Sequence, residues 1–529
     1  VAVACVGLLC CYVRLSATFP VGSDGASNAL EAWDMLHGNL LLHGWTLTDV
    51  SFYTTELPEY ALVEVCRGLS PDVVNIASAI TYTLLAVLAA VLARGSATGR
   101  EGMVRALVAA GIMLAPQLGS GIHVVLSQSD HIGTQVPILL IFLLLDRLPG
   151  RWYTAAAIAL PLAVVVLADQ VAIFDAALPL AVIGALRAIR LRPASWQLTP
   201  WRLAFWKQWL RLPWFEISLV AAAAGGTAAG EAGSRLIGRH GGYTLLPVQT
   251  GLASVAQLPG HLWLAVTGVL NLFGGDVTGA PPGAQTAIAW LHLAGVTLAV
   301  AGFRVAWRGF RGAEDLIPGL LAVGIAVNLA AYVASVIPNT AFETREIAAV
   351  LPFGAVLAGR LLGGPLARAR SRMVLPALAL AAGCHLAALG YGVAQPPSGN
   401  PEQPLASWLM AHRLTGGLGT FTDANIVTLD SGGTVRLRAA AWWARGAVPR
   451  LYQSSAAWYD PHAFAANFVV TGNVDPPADL IPGKDILALA GPPGRVFHVG
   501  GFTVLVWDKN LLALLGSPPS RWPGAIGHT

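Results

Sequence analysis

The sequence predicts a mainly α protein, a polytopic bundle of membrane helices followed by a smaller mixed α/β domain. Three observations carry that expectation. Of 529 residues, 55% are hydrophobic and only 11% charged, whereas a soluble domain carries about 25% charged residues. Mean hydropathy is +0.62. Apolar segments recur at roughly 20 residues, the length a helix needs to cross a bilayer, and they stop near residue 394.

Taken in order, the apolar segments lie near 1–18, 72–93, 104–126, 132–149, 152–168, 170–190, 214–236, 284–304, 315–337, 346–364 and 373–394, about eleven spans by length. The first is expected to be retained, because no small-x-small cleavage pattern follows it. Arginine placement then sets the topology. Alternate connections hold Arg94, Arg100 and Arg105; Arg147 and Arg151; Arg187, Arg190, Arg192, Arg202, Lys207 and Arg211; Arg304, Arg308 and Arg311; and Arg360, Arg368, Arg370 and Arg372. The intervening ones hold only Arg67, Arg235, Arg239 and Arg345. The positive-inside rule puts the rich side in the cytoplasm of a plasma-membrane protein. The poor side, with the loop over 19–71, the loop over 237–284 and the region 395–529, faces outward.

Three further segments follow from composition. Residues 193–213 combine Trp196, Trp201, Trp206 and Trp209 with basic residues and read as an interfacial connector. The apolar stretches 252–258 and 262–273 read as short helices along the outer membrane face. Beyond the Pro- and Gly-rich linker at 396–401, residues 408–413 read as helix and 426–429, 435–437, 468–470, 486–489 and 502–507 as strands. The five cysteines, Cys5, Cys10, Cys11, Cys66 and Cys384, give neither a disulfide framework nor a zinc spacing. Nothing points to nucleic acid.

Chemistry concentrates in the loop over 19–71. It carries Asp24, Glu31, Asp34, Asp49, Glu56, Glu59 and Glu64 against a single Arg67, and carboxylates at a membrane face are costly unless solvated, paired, metal-bound or functional. Asp24 stands between Gly22 and Gly25, which permit a tight turn and close approach. Asn28 with Glu31 resembles a capping box, so a helix is expected over 29–37, with Asp24 in the loop before its positive end. A carboxylate there can take a proton from a hydroxyl; it can also be only a helix cap. Glu56 precedes Pro58, which restrains the chain beside it. His37, His43, Asp34 and Asp49 have metal-ligating chemistry without a recognised spacing, so a divalent cation stays open and no metal ligand is assigned. Arg345, on the arginine-poor side, suits a phosphate because its guanidinium donates paired hydrogen bonds; a salt bridge to Glu343 or Glu346 is the alternative. His131 and Gln128, in the short outward loop 127–131, are further phosphate candidates, or an ordinary polar turn. Trp458 belongs to an aromatic group with Trp442, Trp443, Tyr452 and Tyr459, which is either core or a sugar platform.

A long outward loop after the first span, an early Asp, a second acid before the next span, about eleven spans and an outward C-terminal domain together resemble the GT-C class of glycosyltransferases. The likeness is best over residues 1–135 and then topological, and it extends to actinobacterial mannosyl- and arabinofuranosyltransferases of the cell envelope. It implies a polyprenyl-phosphate sugar donor, a glycan or glycolipid acceptor and a lipid bilayer as partners. Asp24 would be the general base and Glu56 the second acid of the loop. Arg345, His131 and Gln128 would hold donor phosphate, and Glu31, Asp34, His43, Glu59 and Trp458 would bind acceptor or sugar. Many members have two adjacent acids where this chain has Asp24-Gly25, which leaves metal dependence open. A transporter or flippase of lipid-linked sugars and a non-catalytic envelope assembly protein are the competing functions. Transporters tend to carry internal repeats and acids at broken helices.

Overall fold

Long apolar runs satisfy their backbone groups internally as helices, and helices dominate the first 394 residues. The computed structural model describes residues 2–191, 212–247, 251–278, 283–309, 315–369, 374–443, 446–472 and 483–518. Most of the connector over 193–213 and of the tail after 516 lies outside the described residues. Five described helical segments are long and apolar enough to cross a membrane: Pro71–Arg94, Ala284–Gly309, Leu316–Ala334, Glu343–Arg368 and Pro376–Val393. They coincide with five of the eleven expected spans. The others fall on elements that are shorter or more polar. Ala2–Ser16, Gln135–Arg147 and Trp152–Ala168 have 15, 13 and 17 residues. The segment expected at 104–126 is split into Gly99–Met113 and Ser120–Val125. Trp214–Arg239 is long, at 26 residues, but includes Glu216, Glu231, Arg235 and Arg239.

Pro71–Arg94 illustrates how the sequence sets a helix. Pro71 sits at its first turn with Asp72, Arg94 lies in its last turn, and Gly95 ends it at φ +56°, an arrangement that suits the helix dipole and terminus. Near its Arg94 end, Arg360 is buried among acids. Its Nε and Nη2 donate to Asp315 at 2.7 and 3.0 Å, Nη2 to Asp146 at 2.6 Å and Nη1 to the Leu92 carbonyl at 2.8 Å. That cluster ties four helices together where the arginine-rich connections gather. Small residues let other helices touch closely. A Cβ on Gly226 would lie 2.9 Å from the Ala159 carbonyl oxygen, and one on Gly302 2.8 Å from the Ala358 nitrogen.

Nine strands are described: β1 Trp45–Leu47, β2 Thr244–Leu245, β3 Gly416–Gly419, β4 Arg436–Trp443, β5 Gly446–Pro449, β6 Ser454–Ser455, β7 Phe468–Gly472, β8 Arg495–Val499 and β9 Phe502–Val506. Six form one mixed sheet, ordered β5-β4-β3-β7-β9-β8. Helices Gln403–Ala411 and Phe421–Asp430 share a core with one face of it. The other three form a small sheet ordered β2-β1-β6. It joins the 19–71 loop, the 237–284 loop and the C-terminal domain, so these three segments meet at one end of the bundle.

The structure corrects several local expectations. Residues 426–429 and 486–489 are helical, within Phe421–Asp430 and Gly483–Ala490. Helix Phe421–Asp430 is buried on nearly all sides, so it shows no polar stripe by which sequence could mark a helix. The helix expected over 29–37 is Ser23–Leu36, and Asp24 lies in its first turn rather than before it. Residues 262–273 belong to one helix, Leu258–Phe273, while 252–258 is mostly non-helical.

Candidate active site

Asp24 owes its position to two glycines. Gly22, in extended backbone, precedes the helix Ser23–Leu36, whose free amide groups favour an acid in the first turn. A Cβ on Gly22 would lie 2.9 Å from Gln128 Oε1, and one on Gly25 would lie 2.8 Å from Val74 Cγ1 and 3.4 Å from Gln128 Cβ. Absence of those methyls lets the segment around Gln128 and helix Pro71–Arg94 close onto the start of this helix. Asp24 is 7% exposed and Gln128 4%.

Arg345 approaches from the other side on a short 3-10 helix, Ala341–Ile347. Its Nη1 donates to Asp24 Oδ2 at 2.8 Å and to Asp130 Oδ2 at 3.2 Å. Asn28 Nδ2 donates to the other Asp130 oxygen at 3.0 Å. Arg345 is thus paired with two acids distant in sequence, Asp24 and Asp130, which the expected salt bridge to Glu343 or Glu346 did not include. Burial pushes Asp130 up to about 6, with Arg345 pulling down and Asp24 pushing up. Glu31, 2% exposed, lies close enough to both acids to feel their charge; burial and then that repulsion hold it well above the ordinary carboxylate range.

Beside this pair is a second cluster. His131, at φ +31°, places its ring between two acids. Nδ1 is 2.8 Å from Asp169 Oδ2, and Nε2 is 3.2 Å from Glu346 Oε1. Burial disfavours the imidazolium, but Glu346 and Asp169 outweigh it and hold the pKa well above its usual value. Thr134 Oγ1 bridges onward, at 2.8 Å from Asp169 Oδ2 and 3.2 Å from Glu56 Oε1. Glu56, 1% exposed, also accepts from Thr55. Burial keeps its carboxyl protonated well past the ordinary range, against the Thr55 bond and aided by Asp169. It stands behind His131 rather than beside Asp24, so it supports the cluster from within. A fourth acid, Asp175, accepts from Gln135 Nε2 and Asn328 Nδ2, each at 2.8 Å, at a π-helical turn Ile173–Ala177.

The other sequence candidates have separate surroundings. Asp34 accepts from Trp45 Nε1 and Asn39 Nδ2, each at 2.7 Å, and so holds its own loop. His43 Nδ1 is 2.6 Å from the Gly241 carbonyl oxygen, linking the 19–71 and 237–284 loops. Glu59 accepts from Thr81 at 2.6 Å, with burial pushing it up to about 7. Trp458 packs edge-on to Trp45, ring centres 4.7 Å apart, and carries the Arg438 guanidinium 3.7 Å over its ring. Asp130, Asp169, Glu346 and Thr134 were missed as site residues. The first three are acids next to or within apolar segments, which is itself a signal of function in a membrane protein. Among the described residues no three His, Cys, Asp or Glu side chains are grouped to hold a metal ion; Asp24 and Asp130 converge on a guanidinium instead.

The site is covered. Asn425, on helix Phe421–Asp430, donates to Ser27 Oγ at 2.7 Å. Tyr452 lies near enough to Asp24 and Arg345 to feel both charges, and burial raises its hydroxyl well above its usual range. A void of about 10 Å³ lined by His123, Val124, Gln128, Asp130 and Arg345 borders the pair, room for about one water.

No family model matches the chain, and no curated protein does. Solved structures that it matches include the Archaeoglobus fulgidus oligosaccharyltransferase in the apo form, at 13% identity and a TM-score of 0.45, over 89% of this chain and 69% of that one. The same protein in complex with Zn and sulfate matches at 12% identity and TM-score 0.45, over 89% and 68%. Neither likeness assigns a residue or an activity to this chain.

Proposed function

We propose that the chain is a multi-pass membrane glycosyltransferase of GT-C type, moving a sugar from a polyprenyl-phosphate donor to a cell-envelope glycan or lipid acceptor. The observation that carries this is the 2.8 Å contact between Asp24 and Arg345. It sets a base for an alcohol beside a cation for a departing phosphate. The acceptor hydroxyl hydrogen-bonds to the Asp24 carboxylate and attacks the anomeric carbon. A new carbon–oxygen bond forms as the bond from that carbon to the phosphate oxygen breaks, and the electron pair leaves with the polyprenyl phosphate. The proton passes to Asp24. Arg345 donates to the phosphate as its charge develops, and His131, held between Glu346 and Asp169, fixes the short loop that carries Gln128. A single displacement inverts the anomeric centre.

By the arginine distribution the site faces the extracytoplasmic side of the plasma membrane. Residues 1–394 form the catalytic membrane domain and 395–529 an extracytoplasmic domain and tail. Glu56, protonated behind His131, is a positioning residue. Glu31 borders the acceptor side of Asp24. Asp34 and His43 shape the loop, and Glu59 anchors its helix to Thr81.

One observation favours a second function, a flippase of lipid-linked sugar. Asp175 sits at an interrupted helix inside the bundle, a feature transporters use. The two functions separate in one experiment. The protein in lipid nanodiscs, given a panel of polyprenyl-phosphate sugars and envelope glycan acceptors, is expected to release polyprenyl phosphate and glycosylated acceptor. Movement of labelled donor across proteoliposomes, with no product under any donor, supports the flippase and ends the transferase proposal.

A further inference from the structure

Strand β4 alternates. Leu437 and Ala439 are buried in the core shared with helix Phe421–Asp430, so Arg436 and Arg438 point to the opposite face of the sheet. Both line a cavity of about 470 Å³ in the C-terminal domain, together with Thr415, Gly433, Thr434, Phe464 and Trp458. That volume falls in the range of about 300–1,000 Å³ typical of ligand sites. Its rim is open to solvent, since Thr415, Thr434 and Arg436 are exposed.

The inner guanidinium is the unusual feature. Arg438 stacks on Trp458 at 3.7 Å, which fixes its plane, and its buried Nη1 has no hydrogen-bond partner among the described residues. It forms no ion pair among the described residues. Asp34 acts on it from a distance, but the Asp34 Oδ2 atom is taken by Trp45 and Asn39. Burial pushes its pKa down to about 9, and Arg436 pushes the same way, against Tyr459 and Asp34. A buried cation with an unused donor is costly to hold and fits an anion bidentately. Arg436, 5.8 Å over the Phe464 ring, adds a second positive charge at the mouth.

We propose that this cavity binds a saccharide bearing a carboxylate or phosphate, its anion on Arg438 and Arg436 and its ring against the Phe464 side. Identification of that saccharide with part of the acceptor rests on the transferase function proposed above. The cavity reaches the membrane portion through Trp458, which packs on Trp45 of β1, and Gly433 lies against Leu69. A glycan seated there is thus held at the junction of the C-terminal domain with the 19–71 loop.

The test uses the full chain in nanodiscs and titration calorimetry with four probes: glucuronate, glucose 6-phosphate, glucose and inorganic phosphate. The two charged sugars are expected to bind at least about ten-fold tighter than glucose and tighter than inorganic phosphate. Arg438→Gln is expected to weaken them about ten-fold or more and the exposed Arg436→Gln about three-fold, with Arg438→Lys in between because it keeps charge but loses the fork. Thermal melts check folding, and Arg436→Gln carries the test if Arg438 variants melt early. Equal affinity for glucose and the charged sugars, equal affinity for inorganic phosphate and glucose 6-phosphate, or no effect of either arginine overturns the proposal. If the arginine variants change nothing while sugar transfer remains dependent on Asp24, the cavity proposal falls and the transferase stands. If anion binding tracks the arginines but no donor is ever turned over, the site stands and the transferase function falls.

Discussion

Arg345 and Asp24 are 321 positions apart in the chain, yet their side chains meet at 2.8 Å, with Asp130 sharing the same guanidinium nitrogen at 3.2 Å. Removing the cation leaves two carboxylates facing each other in a buried site. Arg345→Ala is expected to destabilise the protein by about 3–5 kcal/mol, the usual loss when one partner of a buried pair is deleted. Arg345→Lys should recover most of the stability but little of any transfer activity, since an ammonium cannot present the planar, paired N–H fork of a guanidinium to phosphate. Thermal melts and turnover on the two variants check this.

His131 gives a pH dependence with a definite sign. Its pKa is held well above the usual imidazole value by Glu346 and Asp169 despite burial. The stability from that pairing is fully present below the unfolded pKa of about 6.5 and is lost as pH rises through the folded value. The contribution of this pair should therefore be level below about pH 6.5 and decline as pH rises from there through neutral toward the folded value. His131→Gln should be less stable at pH 6 and show a shallower alkaline decline.

Glu64 predicts the opposite effect of a substitution. It is 2% exposed, and among the described residues neither carboxylate oxygen has a hydrogen-bond partner; burial pushes its pKa up to about 9. A carboxyl raised this far costs stability increasingly as pH climbs from its unfolded value toward 9. Glu64→Gln should leave the melting temperature at pH 4 nearly unchanged and raise it at pH 8, by stability on the order of 2 kcal/mol. An equal gain at both pH values would show that the effect is not titration.

Gly133 tests the packing around Glu56. A Cβ there would lie 2.6 Å from Glu56 Oε1 and 2.8 Å from the Ser129 carbonyl oxygen. Gly133→Ala is expected to cost about 1–3 kcal/mol by overpacking and to disturb the Thr134–Asp169–His131 chain. Gly111→Ala, where no atom of the described residues lies within 4 Å of the added methyl, is the control and should be neutral to slightly stabilising, since it lies in the helix Gly99–Met113.

What the sequence disclosed followed physical period and cost. Apolar runs marked the five long helices, and short β-branched and aromatic runs bounded by turn residues marked the start of β4, most of β7 and all of β9. Uncommon charges in apolar surroundings drew attention to Asp24, Glu56, His131 and Arg345. Other features had no local signal. Ser23, Asp24 and Gly25 look like a turn, and they are helical because Gly25 fits under Val74 and Gln128, contacts made by distant segments. Residues 426–429 are β-branched and apolar, and they form a helix because both the sheet and helix Ser23–Leu36 bury them. Arg345 stands in sequence beside Glu343 and Glu346, and nothing local marks its pairing with Asp24 and Asp130, 321 and 215 positions away.

The most direct measurement is sugar transfer by Asp24→Asn in nanodiscs with a polyprenyl-phosphate sugar on which the wild type turns over. The carboxamide keeps the shape and cannot take the acceptor proton, and Arg345 keeps Asp130. Loss of turnover by about 10²–10⁴-fold, with melting temperature and donor affinity near wild type, is the expected result. Transfer at the wild-type rate would contradict Asp24 as the base and leave only the membrane fold standing.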